Sequence, residues 1–394
     1  MNEPSTNDIF PIHPTGPDGL LFEGPVYRYT FVAPLVDAPD PMAIARRSPL
    51  KGEGPPRLVI LKRVEVPPEA ERRQRAVEEV QLASCLRHPN IAEVYGLEEY
   101  QGVPYVVMAH AQGIFLDTAM ETALLLGRTL SPAFCVYIAS ELADALDYAW
   151  GTSQDDDDQP LRVVHRAVSP TSIRLELSGE VTLTDFGVAY SRMAGRLDTP
   201  SKVLRAELAY AAPEVMRRQK PDGRADIYSL GMVLLEMLSG RYPLDPPDVN
   251  LPPGESPEAV RYNASVRAER RTWTSVGELA DRILRFGPED VERVAGGVPE
   301  PLKRILHKAL RSNPDDRYQT GLKMQEDLVE WLRRQDRYFT YSEAAAELET
   351  LLREKPTPQQ TRAFPIERGV LPTPEEEATA EEGSMEEETK DRGE

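Results

Sequence analysis

The spacing of apolar residues changes once along this chain, and that change limits the folds open to it. Up to about residue 108 the apolar runs are short and rich in β-branched and aromatic side chains, as at 26–35, 57–66, 91–100 and 105–108. Such runs read as strands. One helix is expected among them over 68–86, opened by Pro67-Pro68-Glu69-Ala70 and carrying Ala76, Val80, Ala83 and Leu86 at helical spacing. Farther on, Ser131-Pro132 opens a helix in which Phe134, Ile138, Leu142 and Leu146 recur at every fourth position, and Ser178-Gly179 joins strands at 173–177 and 181–183 as a hairpin. From about Asp226 the pattern is helical, broken by a Pro-rich stretch at 243–257. A β-rich segment followed by a helical one predicts an α+β chain with two lobes.

Composition narrows the functions available. Hydrophobic residues make up 40% of 394 positions, enough for a sizeable core and incompatible with disorder throughout. A net charge of −19 argues against a nucleic-acid backbone or an anionic membrane as the main partner. Cys85 and Cys135 are too few for a disulfide scaffold or a zinc site, and are expected in apolar surroundings in a reducing compartment. The opening MNEPSTNDIFPIHP lacks a basic segment followed by an apolar one, so it does not read as a secretory signal. The best apolar run, 230–238, is half a membrane span and contains Glu236. The expectation is a cytoplasmic protein with no membrane insertion.

The charge is uneven. From Glu375 onward ten acidic residues face two basic ones, so this end holds −8 of the total. With Pro356, Pro358, Pro365, Pro372 and Pro374 ahead of it, the stretch 355–394 is expected to be a disordered, Pro-rich acidic tail. Residues 1–25, rich in Pro and Gly, are expected to be a loose extension, and 338–354 a short helical one.

Between these ends a set of short motifs follows a fixed order: Val59-Ile60-Leu61-Lys62; Glu79 on the next helix; His88-Pro89-Asn90-Ile91; His165-Arg166-Ala167; Asp185-Phe186-Gly187; Ala212-Pro213-Glu214; Asp226-Ile227-Tyr228-Ser229-Leu230-Gly231; and Arg317. In this order they make the chain resemble the eukaryotic-like serine/threonine protein kinases, of the bacterial type, from about residue 27 to 337. The resemblance implies a protein-kinase-like domain over 26–337, with a small β-rich lobe at 26–108 and a larger helical lobe at 109–337.

The chemistry of that family rests on positioning and charge neutralisation around ATP and magnesium, and here the chain departs from it. The phosphate-covering loop, glycine-rich in the family, corresponds to Val36-Asp37-Ala38-Pro39-Asp40-Pro41-Met42-Ala43, and no glycine occurs between Phe31 and Ser48. Close backbone approach and donation from position 41 are both lost. Where the family has its catalytic aspartate, the chain has Ala167, which cannot accept a proton. Ser169 replaces the lysine that steadies the γ-phosphate, and Ser172 the asparagine that holds a second metal. Arg174 stands where an aliphatic residue forms the adenine floor, and Ile60 where a small residue forms the roof. Arg174 either fills the slot, finds an acidic partner such as Asp185, or turns outward.

Lys62, Glu79 and Asp185 match the family's nucleotide and metal positions, yet the same residues serve equally as an internal ion-pair set. For Asp185 the ion-pair role is preferred over the metal role. His165, Phe186, Gly187, Glu214, Asp226 and Arg317 match positions that hold the fold. Arg166 matches a residue that pairs with a phosphorylated activation segment, here carrying Thr199 and Ser201; a backbone or carboxylate contact is the plainer expectation. Glu207 replaces a threonine of the peptide-docking loop. Fold-holding positions match and chemistry-holding positions do not. The expected function is that of a pseudokinase, a regulatory or scaffolding module for other signalling proteins, with no cofactor. A divergent active kinase and an ATP-binding switch, each using Mg-ATP, are the alternatives.

Overall fold

The computed structural model describes residues 19–35, 42–51, 54–63, 80–81, 83–110, 112–154, 158–186, 209–244, 276–335 and 338–354. Contacts divide the chain into Met1–Lys355 and Pro356–Glu394, and every described residue belongs to the first unit.

The small lobe is one antiparallel sheet built from β1 (Leu20–Glu23), β2 (Tyr27–Pro34), β3 (Met42–Pro49), β4 (Arg57–Arg63), β5 (Val94–Tyr100) and β6 (Val103–Ala109). The strand order is β1-β2-β3-β4-β6-β5. Period-two alternation gives the sheet two apolar faces. Ala43, Ala45, Val59, Leu61, Tyr105 and Val107 face one cluster with Leu21, Phe22 and Tyr29. Met42, Ile60, Val106 and Met108 face the other, which continues into the large lobe. Register sets Lys62 opposite Met42 on one side and Val106 on the other.

Three features differ from the sequence expectations. The sheet begins at Leu20, inside the stretch 1–25 expected to be loose, because Leu21 and Phe22 are buried as β1 pairs with β2. Strand β3 was not expected, since Arg46-Arg47 interrupts its apolar alternation; it is held by β2 and β4 on its two sides. Cys85 is exposed rather than apolar-packed, whereas Cys135 is buried. Of the helix expected over 68–86, Val80, Gln81 and Ala83 are described as helical, whereas Ser84 and Cys85 form a turn and Leu86 lies beyond it, so the helix stops short of the expected end.

The large lobe opens with β7 (Gly113–Phe115), α1 (Leu116–Leu125) and α2 (Pro132–Asp147). Helix α2 starts where the sequence marks it: the Ser131 hydroxyl accepts from the Phe134 amide, with Pro132 in the first turn. Strands β8 (Ile173–Glu176) and β9 (Val181–Leu183) complete a three-stranded sheet with β7. Then come α3 (Pro213–Met216), α4 (Gly223–Ser239), α5 (Val276–Arg285), α6 (Pro288–Val294), α7 (Glu300–Ala309), α8 (Gly321–Arg333) and α9 (Tyr341–Arg353). Helix α4 is buried over nearly its whole length, which makes it the central post of the lobe. It stops at Gly240, whose left-handed φ of 59° lets its amide bond the Glu236 carbonyl. Ile91 forms an isolated bridge to Leu183, so one backbone contact ties the lobes beside the site. Among the described residues no helix is long and apolar enough to cross a membrane.

Candidate functional site

The loop between α2 and β8 is held by two brackets. The first is Asp226, in the first turn of α4, whose two carboxylate oxygens accept from the His165 and Arg166 amides at 2.7 Å each. These bonds hold Arg166 at a φ of 66°, a left-handed conformation that typically costs a non-glycine residue on the order of 1–3 kcal/mol. The second is His165 itself. Its Nε2 donates to the Thr184 carbonyl at 2.6 Å, its Nδ1 accepts from the Ala167 amide at 3.3 Å, and its ring meets Phe186 edge-on at 4.7 Å. Phe186 in turn shares a core cluster with Ala83 and Val94.

These hydrogen bonds require one neutral tautomer, with the proton on Nε2. Burial lowers the imidazole pKa from 6.5 to about 4. The unfolded chain takes up a proton near 6.5 that the folded one refuses. Stability from His165 is therefore present above pH 6.5 and lost as pH falls toward 4. Asp226 runs the other way. Burial raises its carboxyl from 3.8 to about 7 against the opposing amide bonds, so its contribution is lost as pH rises through 7. Imidazole ¹⁵N spectra of the folded protein at pH 5 are expected to show His165 neutral and protonated only at Nε2; an imidazolium signal there would contradict this geometry.

At the position the resemblance assigns to the catalytic base, the structure holds the buried methyl group of Ala167. The following residues close on themselves in a 3₁₀ turn, Pro170–Ser172. The Ser172 hydroxyl accepts from the Ser169 amide at 3.1 Å and lies 3.0 and 3.2 Å from the Ser169 and Ala167 carbonyls. The Ser169 hydroxyl bonds Thr171 at 2.9 Å. Both side chains replaced relative to the family thus serve the turn's own geometry.

Across the lobes, Lys62 Nζ meets the Asp185 carboxylate at 2.7 Å. Lys62 is 1% exposed, so the pair acts in low dielectric where it is screened little by salt. Asp185 has a φ of 68°, a second left-handed residue at the site. Glu79, Gly187, Thr199, Ser201, Glu207 and the stretch 36–41 lie outside the described residues.

Arg174 does not turn outward: it is 3% exposed. It stands opposite Phe115 across β7–β8, donates to the Gly113 carbonyl at 2.8 Å, and sets its guanidinium 4.8 Å from the Phe115 ring centroid. Its charge also adds to burial in lowering the His110 pKa. The Gly113 carbonyl was not anticipated, because a backbone oxygen carries no sequence signature. Ile173 and Leu175 are buried, but Leu177, within the strand expected over 173–177, is 48% exposed because β8 ends at Glu176 and the turn begins. Above, Ile60 is buried in the cluster that also contains Leu35 and Met42, the residues flanking the 36–41 stretch.

Under the large lobe, Glu214 and Arg317 form a buried two-pronged pair at 2.7 and 2.8 Å. Sequence reading missed a second buried anchor, Tyr210 donating to Glu236 at 2.5 Å, which ties the segment before α3 to α4.

Comparisons with known proteins agree with this arrangement. The protein kinase domain family profile matches residues 53–329. The chain is 29% identical over 256 residues to serine/threonine-protein kinase PknB of Mycolicibacterium smegmatis, covering 64% of this chain and 35% of that protein. It is 34% identical over 232 residues to serine/threonine-protein kinase PknJ of Mycobacterium tuberculosis, covering 53% and 37% respectively. The chain thus spans little more than a third of the length of the curated relatives it matches. Its fold is similar to the crystal structure of the Mycobacterium tuberculosis PknI kinase domain, with a TM-score of 0.53 and 23% identity over 80% of this chain and 99% of that one. The chain belongs to the protein kinase domain family, among homologues of bacterial serine/threonine kinases.

Proposed function

We propose that this member of the protein kinase family is a pseudokinase: a catalytically impaired domain that works as a regulatory or scaffolding module for other signalling proteins, in the cytoplasm. The observation that carries the reading is Ala167, a buried methyl group at the position of the catalytic base. A base of this kind contributes about 10²–10⁴-fold to rate. The donors present also do not fit a magnesium–ATP complex. Ser172 has its hydroxyl engaged by the loop backbone, Asp185 has its carboxylate on Lys62, and an arginine stands at the adenine floor. Among the described residues no group of three or more His, Cys, Asp or Glu side chains is placed to hold a metal ion.

The test is transfer from γ-labelled ATP to the protein itself and to generic protein substrates. The expected result is no incorporation above that of Lys62→Met. Incorporation that disappears in Lys62→Met would establish the divergent-kinase reading, which the similarity to named serine/threonine kinases favours. Lys62 and Asp185, retained side by side, favour a further reading as an ATP-binding switch without transfer.

A further inference from the structure

Helix α9 lies beyond the part of the chain that matches the kinase family, which ends at residue 329. We propose that residues 338–354 are a strap that holds the β8–β9 hairpin, and with it the strand carrying Arg174, against α2. Contacts along the whole segment carry the argument. At its start, the Phe339 ring lies 5.9 Å from Phe134 and 5.6 Å from Tyr137, both on α2. Tyr137 also donates its hydroxyl to the Gly179 carbonyl at 3.2 Å, so one side chain touches both the strap and the hairpin turn.

Gly179 is the seat. Its φ is 92°, a conformation L side chains rarely adopt, and a Cβ there would overlap the Tyr341 carbonyl oxygen. The turn and the first residue of α9 are therefore packed backbone to backbone. Thr340 and Glu343 cap α9 reciprocally, fixing where the helix begins.

In the middle, Ala344, Leu348 and Leu351 are buried, and the Glu347 carboxylate accepts from both the amide and the hydroxyl of Ser131, at 2.8 and 2.6 Å. Ser131 is the N-cap of α2, so Glu347 brings negative charge to the positive end of that helix. At the far end Glu354 pairs with Arg128 at 2.9 Å, in the connection between α1 and α2. Residue 354 is also the root of the acidic segment 355–394.

Hydrogen exchange read peptide by peptide on the full chain tests the strap. In Leu348→Asp, peptides covering 131–137 and 173–183 are expected to exchange about tenfold faster or more, while α4 keeps its wild-type protection. Gly179→Ala is expected to loosen the same two segments together with 341–353. If Leu348→Asp also exposes α4, the whole domain has been lost, and Glu347→Gln and Gly179→Ala become the deciding variants. Free exchange of 341–353 in any of these variants, with 173–183 still protected as in the wild type, overturns the proposal.

Discussion

Replacing Arg317 with methionine is expected to remove about 3–5 kcal/mol from the stability of the domain, the usual cost of leaving one member of a buried ion pair behind. The side chain of Arg317 is fully buried, and its guanidinium meets both carboxylate oxygens of Glu214. It also donates to the carbonyls of Arg311, Ser312 and Arg224 at 2.7, 3.0 and 2.9 Å, and lies 4.9 Å from the Tyr228 ring centroid. Methionine fills part of the volume but supplies none of these donors. Glu214 would then keep a buried charge without its cation, and three carbonyls would lose a partner. Urea unfolding should show a large fall in midpoint with little change in slope. The double change Glu214→Leu with Arg317→Met should recover a good part of the loss, because it removes the stranded charge as well. A single-variant loss under about 1 kcal/mol, the ordinary worth of an exposed pair, would mean that the anchor is not acting as a buried one.

Restoring the base alone, by Ala167→Asp, is expected to leave phosphoryl transfer undetectable. The reasoning is geometric. A carboxylate at residue 167 can receive a proton only from a hydroxyl held in line with a positioned phosphate. The phosphate loop has no glycine between Phe31 and Ser48, and Ser172 is held in the turn by the Ser169 amide and carbonyl. Groups that act as a unit do not add, so one repaired part contributes little while the others are missing. Position 167 is also buried, so the new carboxylate would bear a desolvation cost and a raised pKa. Single-turnover assays on Ala167→Asp and on the wild type should be indistinguishable. Robust, magnesium-dependent transfer by this variant alone would show that the rest of the site is in working order.

Much of the architecture was legible because it is carried by residues whose types are chemically narrow. Asp226 under the loop amides, Glu214 with Arg317, and His165 against Phe186 are all contacts between residues that the ordered motifs contain. The onset of α2 was legible too, since Ser131-Pro132 is a local cap signal. What stayed hidden depends on partners distant in sequence or on backbone atoms. Strand β3 contains Arg46 and Arg47, and only its two neighbours make it a strand. Arg47 solves its own placement by stacking over the Tyr27 ring at 3.5 Å, a pairing no local pattern announces. Arg174 was flagged as foreign to a nucleotide floor, but its acceptor is the Gly113 carbonyl, 61 residues away. Glu347 caps α2 from 216 residues away, and nothing in the local composition of 338–354 assigns it that task.

The proposed pseudokinase reading gives Lys62, Asp185, Ser172 and Arg174 to the fold rather than to a nucleotide, and a melting titration with ATP, with and without magnesium, tests that assignment. A ligand that binds only the folded state adds about 2.7 kcal/mol at one hundred times its dissociation constant, an effect no melting curve would miss. Millimolar Mg-ATP is expected to leave the melting temperature where it was, in the wild type and in Lys62→Ala alike. A saturable upward shift with Mg-ATP that disappears in Lys62→Ala would instead assign Lys62 to a bound nucleotide and overturn the proposed role.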